Sequence, residues 1–403
     1  MNVTHKQNTF RFALLLALFS ALGPFTVDMY LSSLPEIISY FQTNISMIQT
    51  TLTASLLGLG IGQFVMGPLS DIYGRRYPLL ISMILYCMSS IACAFAPNIE
   101  LFIGIRFVQG FVASAGLVIS RAIVRDLYNG SELTKFISLL TMISNVAPLI
   151  SPLAGSGVMA YRSWNTIFIV LGLLGIVLTI LTIWGITETL PVQKRVAGNL
   201  GKVIGNYSEL FRDRIFMSYA LGNGILFAGV FAYVSATPFI YQNIYGVSAM
   251  EFSILFALNG VAIMLGSQLV KYLAGHIHER RIFGIGLISA FVASVVILIM
   301  TLSYGSLIGL VIALFLFAFS IGVMGPVSFS LAMESQGHIA GSASAVLGVL
   351  PFLLGSLTSP LVGLAGEYAA QPFGIVIFIV SLLSVIFYKV LNTTSTRKVI
   401  NNR

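Results

Sequence analysis

Apolar stretches recur along the chain at about 20 residues each, the length that carries a helix across about 30 Å of hydrocarbon. They begin near Phe12, Ile45, Pro78, Leu101, Phe136, Trp164, Ile215, Phe252, Ile282, Leu307, Ala340 and Pro372, so twelve membrane-spanning helices are expected. Short polar turns such as Ala96-Pro97-Asn98 separate them. One polar segment is longer: residues 188–214 carry Lys194, Arg195, Lys202, Arg212 and Arg214 and divide the chain into an N-terminal bundle over 1–187 and a C-terminal bundle over 215–403. The first run, from Phe12 to about Ile38, is too long for a signal-peptide core and shows no small-residue cleavage site, so it reads as the first span.

The two halves show a faint repetition. Spans two and eight each end in a double arginine, Arg75-Arg76 and Arg280-Arg281, and spans five and eleven are interrupted by proline, at Pro148 and Pro152 and at Pro351 and Pro360. A duplicated six-helix unit explains both, giving an all-α membrane protein of two pseudo-symmetric six-helix bundles. Basic residues alternate with the spans. They lie in the first tail (Lys6, Arg11), after span two, after span four (Arg121, Arg125, Lys135), in the central segment, after span eight (Lys271, Arg280, Arg281) and in the last tail (Lys389, Arg397, Lys398, Arg403). The opposite loops hold only Arg162. Both termini and the central segment are therefore expected on the cytoplasmic side.

Composition reinforces this reading and removes others. Of 403 residues, 57% are hydrophobic and 8% charged, which leaves a soluble domain without enough polar surface. The net charge of +8 is dispersed between apolar runs, whereas a nucleic-acid surface needs it gathered on one face. Cys87 and Cys93 fall six residues apart on one helix, roughly 9 Å by helical rise and beyond the usual reach of a disulfide. Gly198-Asn199-Leu200-Gly201-Lys202 is followed by Val203 and lacks P-loop spacing, so ATP is not the expected energy source. His276, His278 and Glu279 share a basic loop that reads as solvated rather than as a metal site. No cofactor and no metal are expected. The short loops leave no room for a catalytic domain, which argues against an enzyme or a receptor.

Chemistry inside the spans is sparse. Asp28 is the only carboxylate deep within one, roughly 15 Å below the outer end of span one by helical rise, and Arg106 lies roughly 12 Å below the outer end of span four. Ionisable groups at such depth are by default functional. Burial disfavours a charged carboxyl and a nearby guanidinium favours it, so the pair suits proton exchange. Polar and aromatic groups within spans are the candidate pocket: Tyr30, Asn145, Asn223, Phe227, Phe231, Tyr233 and Asn259. Such surfaces suit a promiscuous binder.

Several segments resemble a known family. Gly67-Pro68-Leu69-Ser70-Asp71-Ile72-Tyr73-Gly74-Arg75-Arg76 resembles the signature of the major facilitator superfamily, although Ile72 stands where a basic residue is usual and Tyr77 is inserted before Pro78. Arg106-Phe107-Val108-Gln109-Gly110 is similar to that family's proton-coupling motif. Pro148, Pro152 and Gly155, in Ala147-Pro148-Leu149-Ile150-Ser151-Pro152-Leu153-Ala154-Gly155, resemble its antiporter motif, with Ala147 in place of the usual glycine. Thr26-Val27-Asp28-Met29-Tyr30-Leu31, Ser120 to Asp126 and Tyr233 to Phe239 look like the bicyclomycin and chloramphenicol resistance (Bcr/CflA) group of drug:proton antiporters.

The resemblance covers essentially the whole chain. It implies a multidrug exporter of a bacterial cytoplasmic membrane that works as a monomer by alternating access, exchanging protons for small hydrophobic or cationic compounds. It also implies a cytoplasmic latch built from Gly67, Asp71, Gly74, Arg75, Arg76 and Asp126. The rival reading is a transporter of one metabolite, importing or exporting it, in which Asp28 binds that substrate.

Overall fold

A computed structural model describes the backbone of residues 9–401 except 129, 196–199, 274–275, 335, 337–338, 365 and 367. The described chain is helical throughout and contains no β-strand. Backbone polar groups in hydrocarbon must bond within their own segment, and a helix does this for an apolar stretch without help from neighbours.

The helices are α1 (Thr9–Asp28), α2 (Leu34–Phe41), α3 (Ile45–Tyr73), α4 (Arg76–Ala94), α5 (Ile99–Leu127), α6 (Gly130–Met159) and α7 (Asn165–Gly185). After the polar segment come α8 (Leu200–Arg212), α9 (Arg214–Phe239), α10 (Ala249–Leu273), α11 (Glu279–Leu302), α12 (Leu307–Met333), α13 (Ala340–Thr358) and α14 (Gln371–Asn401). Among the described residues 11 helices are long and apolar enough to span a membrane, and α6 supplies a further apolar stretch over Val146–Met159. The twelve expected apolar segments are thus all helical. The polar segment after α7 holds a helix of its own, α8, which packs on α9 and α13.

The first span departs from a single straight helix. α1 passes through Pro24 and stops at Asp28; the chain then turns, forms a 3-10 turn at Leu31–Ser33 and resumes as α2. Pro35, in the first turn of α2, has no N–H with which to continue the ladder of α1, and the residue before a proline is biased away from the helical region. Ser33 compensates locally, donating to the Tyr30 carbonyl from both its N–H (3.0 Å) and its Oγ (2.6 Å).

The fold separates into two compact units, one comprising Met1–Thr43 and Ala54–Gly198, the other Asn44–Thr53 and Asn199–Arg403. Within the first, α3 and α5 are in backbone contact: a Cβ on Gly58 would strike the backbone of Phe107 and Phe111, and one on Gly110 the backbone of Ser55. Within the second, Gly266 of α10 lies on Phe319 and Val323, and Gly322 of α12 on Ile263. The same reciprocal glycine seam therefore joins the second and fourth spans of each half. Small residues at these crossings let backbones approach, because lipid supplies no hydrophobic force between helices.

Candidate functional site

Asp28 is the last residue of α1 and is 7% exposed. Its carboxyl makes no hydrogen bond and no ion pair among the described residues. Arg106, on α5, is wholly buried. Its Nη1 donates to the Thr26 carbonyl at 3.0 Å and to Gln109 Oε1 at 2.6 Å, and its guanidinium carbon lies 4.1 Å from the centroid of Tyr30 and 5.5 Å from that of Phe168. Nε and Nη2 have no partner among the described residues. Similar depths were expected for Asp28 and Arg106, and Arg106 reaches the carbonyl of Thr26, two residues from Asp28. The two charges nonetheless form no direct pair: the guanidinium bonds a backbone carbonyl and lies on two aromatic faces, an attraction of its own.

A polar chain that sequence reasoning missed surrounds this arginine. Gln109 Nε2 donates to Ser90 Oγ at 2.8 Å, orienting the amide so that its oxygen faces Arg106. Thr26 Oγ1 donates to the Leu22 carbonyl at 2.6 Å and lies 2.9 Å from Tyr86 Oη. A hydroxyl has one proton and a carbonyl can only accept, so in the second contact Tyr86 is the donor. α1, α4 and α5 are thereby joined through buried polar groups around one cation, where each satisfied bond is strengthened by the low dielectric.

The residues expected to form a latch come together at the turn between α3 and α4. Gly74 has φ +93, a conformation in which a Cβ is strained, and it lets the chain reverse. Arg75 is 5% exposed. It pairs with Asp71 one helical turn earlier, donates to Ser70 Oγ at 2.8 Å, and grips Asp126 at the end of α5 through Nε (2.8 Å) and Nη2 (3.3 Å). Burial alone pushes its guanidinium pKa down, but the bonds to Asp126 and Asp71 and their charges outweigh it, leaving the pKa above its ordinary value. Arg76 Nη2 donates to the Ile183 carbonyl at 2.8 Å, and Gly67 lies against the Val118 side chain.

Glu188, which sequence reasoning overlooked, completes this turn. Its carboxylate accepts from the backbone N–H of Arg75 (2.9 Å), Arg76 (3.3 Å) and Leu190 (2.9 Å), and Arg195 Nη2 stands 3.7 Å away. Thr189 Oγ1 donates to Asp126 Oδ2 at 3.0 Å.

The pocket candidates are dispersed. Tyr30 is buried under Arg106. Asn145 lies in α6 with its side chain outside the described residues. In the second unit Phe227 meets Phe231 (6.0 Å between centroids), and Phe231 meets Phe352 (5.4 Å). Asn259 Nδ2 donates to Tyr233 Oη at 2.9 Å and to the Leu255 carbonyl at 3.3 Å. Since that carbonyl can only accept, the amide orientation is fixed, and Oδ1 stays buried without a partner among the described residues. Asn223 Oδ1 is likewise unpartnered there. Phe256 stacks on Tyr233 at 5.2 Å. Pro148 and Pro152 lie within α6, and Gly155 packs on the backbone of Met29.

Comparison with known proteins identifies the family. The model of the Major Facilitator Superfamily matches residues 14–360. An MFS-type transporter of Bacillus subtilis, YdgK, is 48% identical over 92% of this chain and 92% of its own. The bicyclomycin resistance protein homolog of Haemophilus influenzae is 28% identical over 98% and 99%, and a chloramphenicol resistance protein of Pseudomonas aeruginosa 30% over 93% and 88%. Among solved structures, a D-xylose–proton symporter shares the fold with TM-score 0.73 at 15% identity, over 93% of this chain and 97% of that one. The chain is a transporter rather than an enzyme, a multi-pass bacterial membrane protein that belongs to the Major Facilitator Superfamily and, within it, to the bicyclomycin and chloramphenicol resistance group.

Proposed function

We propose that this transporter exports small hydrophobic or cationic drug-like compounds in exchange for protons, with Asp28 as the proton carrier. The observation that carries the reading is a buried carboxyl at the break of the first span with no counter-charge bonded to it among the described residues. A carboxyl so placed exchanges its proton without first breaking an ion pair. Arg106 is the second member of the coupling site, its guanidinium held on the Thr26 carbonyl two residues along the chain from the carboxyl. Substrate contacts come from Tyr30, Asn145, Asn223, Phe227, Phe231, Tyr233 and Asn259, and the turn of Gly67, Asp71, Gly74, Arg75, Arg76 and Asp126 acts as the latch. Residues 1–187 and 215–403 work as two bundles by alternating access, with 188–214 as linker, both termini cytoplasmic and the monomer as the unit.

One proton per substrate makes exchange electroneutral for a monovalent cation and electrogenic for a neutral compound, each charge moved being worth about 2.3 kcal/mol per 100 mV. The test is substrate-driven proton release from proteoliposomes carrying wild type or Asp28→Asn. Release is expected to vanish in the variant while substrate still binds; undiminished release refutes the carrier role.

A further inference from the structure

α6 meets the broken first span along one face. A Cβ on Gly155 would overlap the carbonyl oxygen of Met29, the residue after Asp28, and stand 2.9 Å from its carbonyl carbon. One turn later Met159 Sδ accepts a hydrogen bond from Ser32 Oγ at 3.6 Å. Positions four apart share a helix face, so α6 tracks the chain from Met29 to Ser32, where the first span leaves the α-helical ladder. The contact is confined to that face: a Cβ on Gly157 would meet nothing within 4 Å.

α6 is also pliable just before the seam. Pro148 and Pro152 offer no N–H to the carbonyls of Ser144 and Pro148, while Ser151 Oγ donates to the Ala147 carbonyl at 2.6 Å. A helix lacking two ladder bonds bends there at lower cost than an intact one.

We infer that Gly155 is a positioning residue for Asp28: the seam between α6 and the first span fixes the break that holds the carboxyl, and bending of α6 at its prolines moves that carboxyl. The transport consequence rests on Asp28 being the carrier. The structural claim does not, because the environment of the carboxyl is measurable without transport. Titratable groups on the elements around this stretch include Arg106 on α5, Tyr86, Cys87 and Cys93 on α4, Tyr30 of the break itself, and Glu36 and Tyr40 on α2. The apolar stretch of α6 over Val146–Met159 and the whole of α7 carry none. A shifted seam therefore changes the burial of Asp28 and its distance to one cation, the two quantities that set where a carboxyl titrates.

The experiment is modification of Asp28 by a hydrophobic carbodiimide as a function of pH, read by mass spectrometry on the full chain in nanodiscs. Gly155→Ala is expected to move the midpoint by at least about half a pH unit, roughly threefold in proton affinity, and Gly157→Ala to leave it in place. A wild-type midpoint in Gly155→Ala overturns the inference. Should Gly155→Ala fail to insert, hydrogen exchange of the α6 peptide over 153–159 serves instead. Its protection factor, the rate relative to the intrinsic exchange rate at each pH, should change across the midpoint in the wild type and not in Asp28→Asn; a pH-independent protection factor in the wild type overturns the inference equally. Proton release that persists in Asp28→Asn would remove the carrier reading alone, since neither measurement here depends on transport.

Discussion

Replacing Glu188 by Ala asks whether the segment after α7 holds the start of α4. The first amides of a helix have no partner within it, and here the N–H groups of Arg75 and Arg76 both find the Glu188 carboxylate, at 2.9 and 3.3 Å. A negative group at this end also complements the helix dipole. Losing a side-chain cap costs about 0.5–2 kcal/mol. The pairing with Arg195, whose side chain and that of Glu188 are 25% and 27% exposed, adds little in the presence of solvent screening. The expected loss is therefore roughly 1–2 kcal/mol. It falls on the first turn alone, because the body of α4 stays packed against α5 and α7. In a closed-to-frayed equilibrium this raises the open population about 5- to 30-fold. Hydrogen exchange of the peptide over 76–80 should accelerate by that factor in Glu188→Ala and by less in Glu188→Gln, which keeps one acceptor oxygen. The first turn of α11, capped by His278 instead, should be unchanged. Less than about a twofold change over 76–80 would refute the capping argument.

Arg106→Met should leave the apparent melting temperature within about 3 °C while lowering transport at least about tenfold, because removing an unpaired buried cation relieves desolvation and offsets the lost bonds to Thr26 and Gln109. A large thermal loss would assign Arg106 a structural role instead. Asn259→Leu removes a buried acceptor that has no donor among the described residues. Equilibrium binding to the purified protein should show about tenfold weaker affinity for ligands that present N–H groups, and no change for matched N-alkylated ones; equal affinities for both ligand types in both proteins would remove Asn259 from the pocket. A membrane-permeant maleimide should label half-buried Cys87 and spare fully buried Cys93, and reversed labelling would contradict the packing of α4.

What could be read from the sequence divides along a physical line. Lipid forces each crossing into about 20 apolar residues, so the helices were visible without any knowledge of their neighbours. The Asp71–Arg75 contact was also accessible, because it lies within one segment at a spacing of four. Asp126 and Glu188 bind the same turn from 51 and 113 residues away, and only resemblance pointed to the first of them. The break after Asp28 was hidden for another reason. Hydropathy registers side chains, whereas the break concerns a backbone ladder that Pro24 leaves standing and the chain before Pro35 does not. That distinction matters for mechanism. Along an unbroken helix Asp28 would be one polar residue on a rigid rod, whereas at the end of α1 its position depends on the turn that follows, on Met29, and on the α6 backbone against which Met29 rests. The depth count put Asp28 and Arg106 at similar levels, and in the structure the guanidinium bonds the Thr26 carbonyl two residues from Asp28. The count could not tell which acceptor the guanidinium would take, since a backbone carbonyl and a carboxylate two residues apart are both within reach of so long a side chain. Among the described residues the guanidinium takes the carbonyl and the carboxyl has no bonded partner, and it is on this arrangement that the proposed carrier role rests.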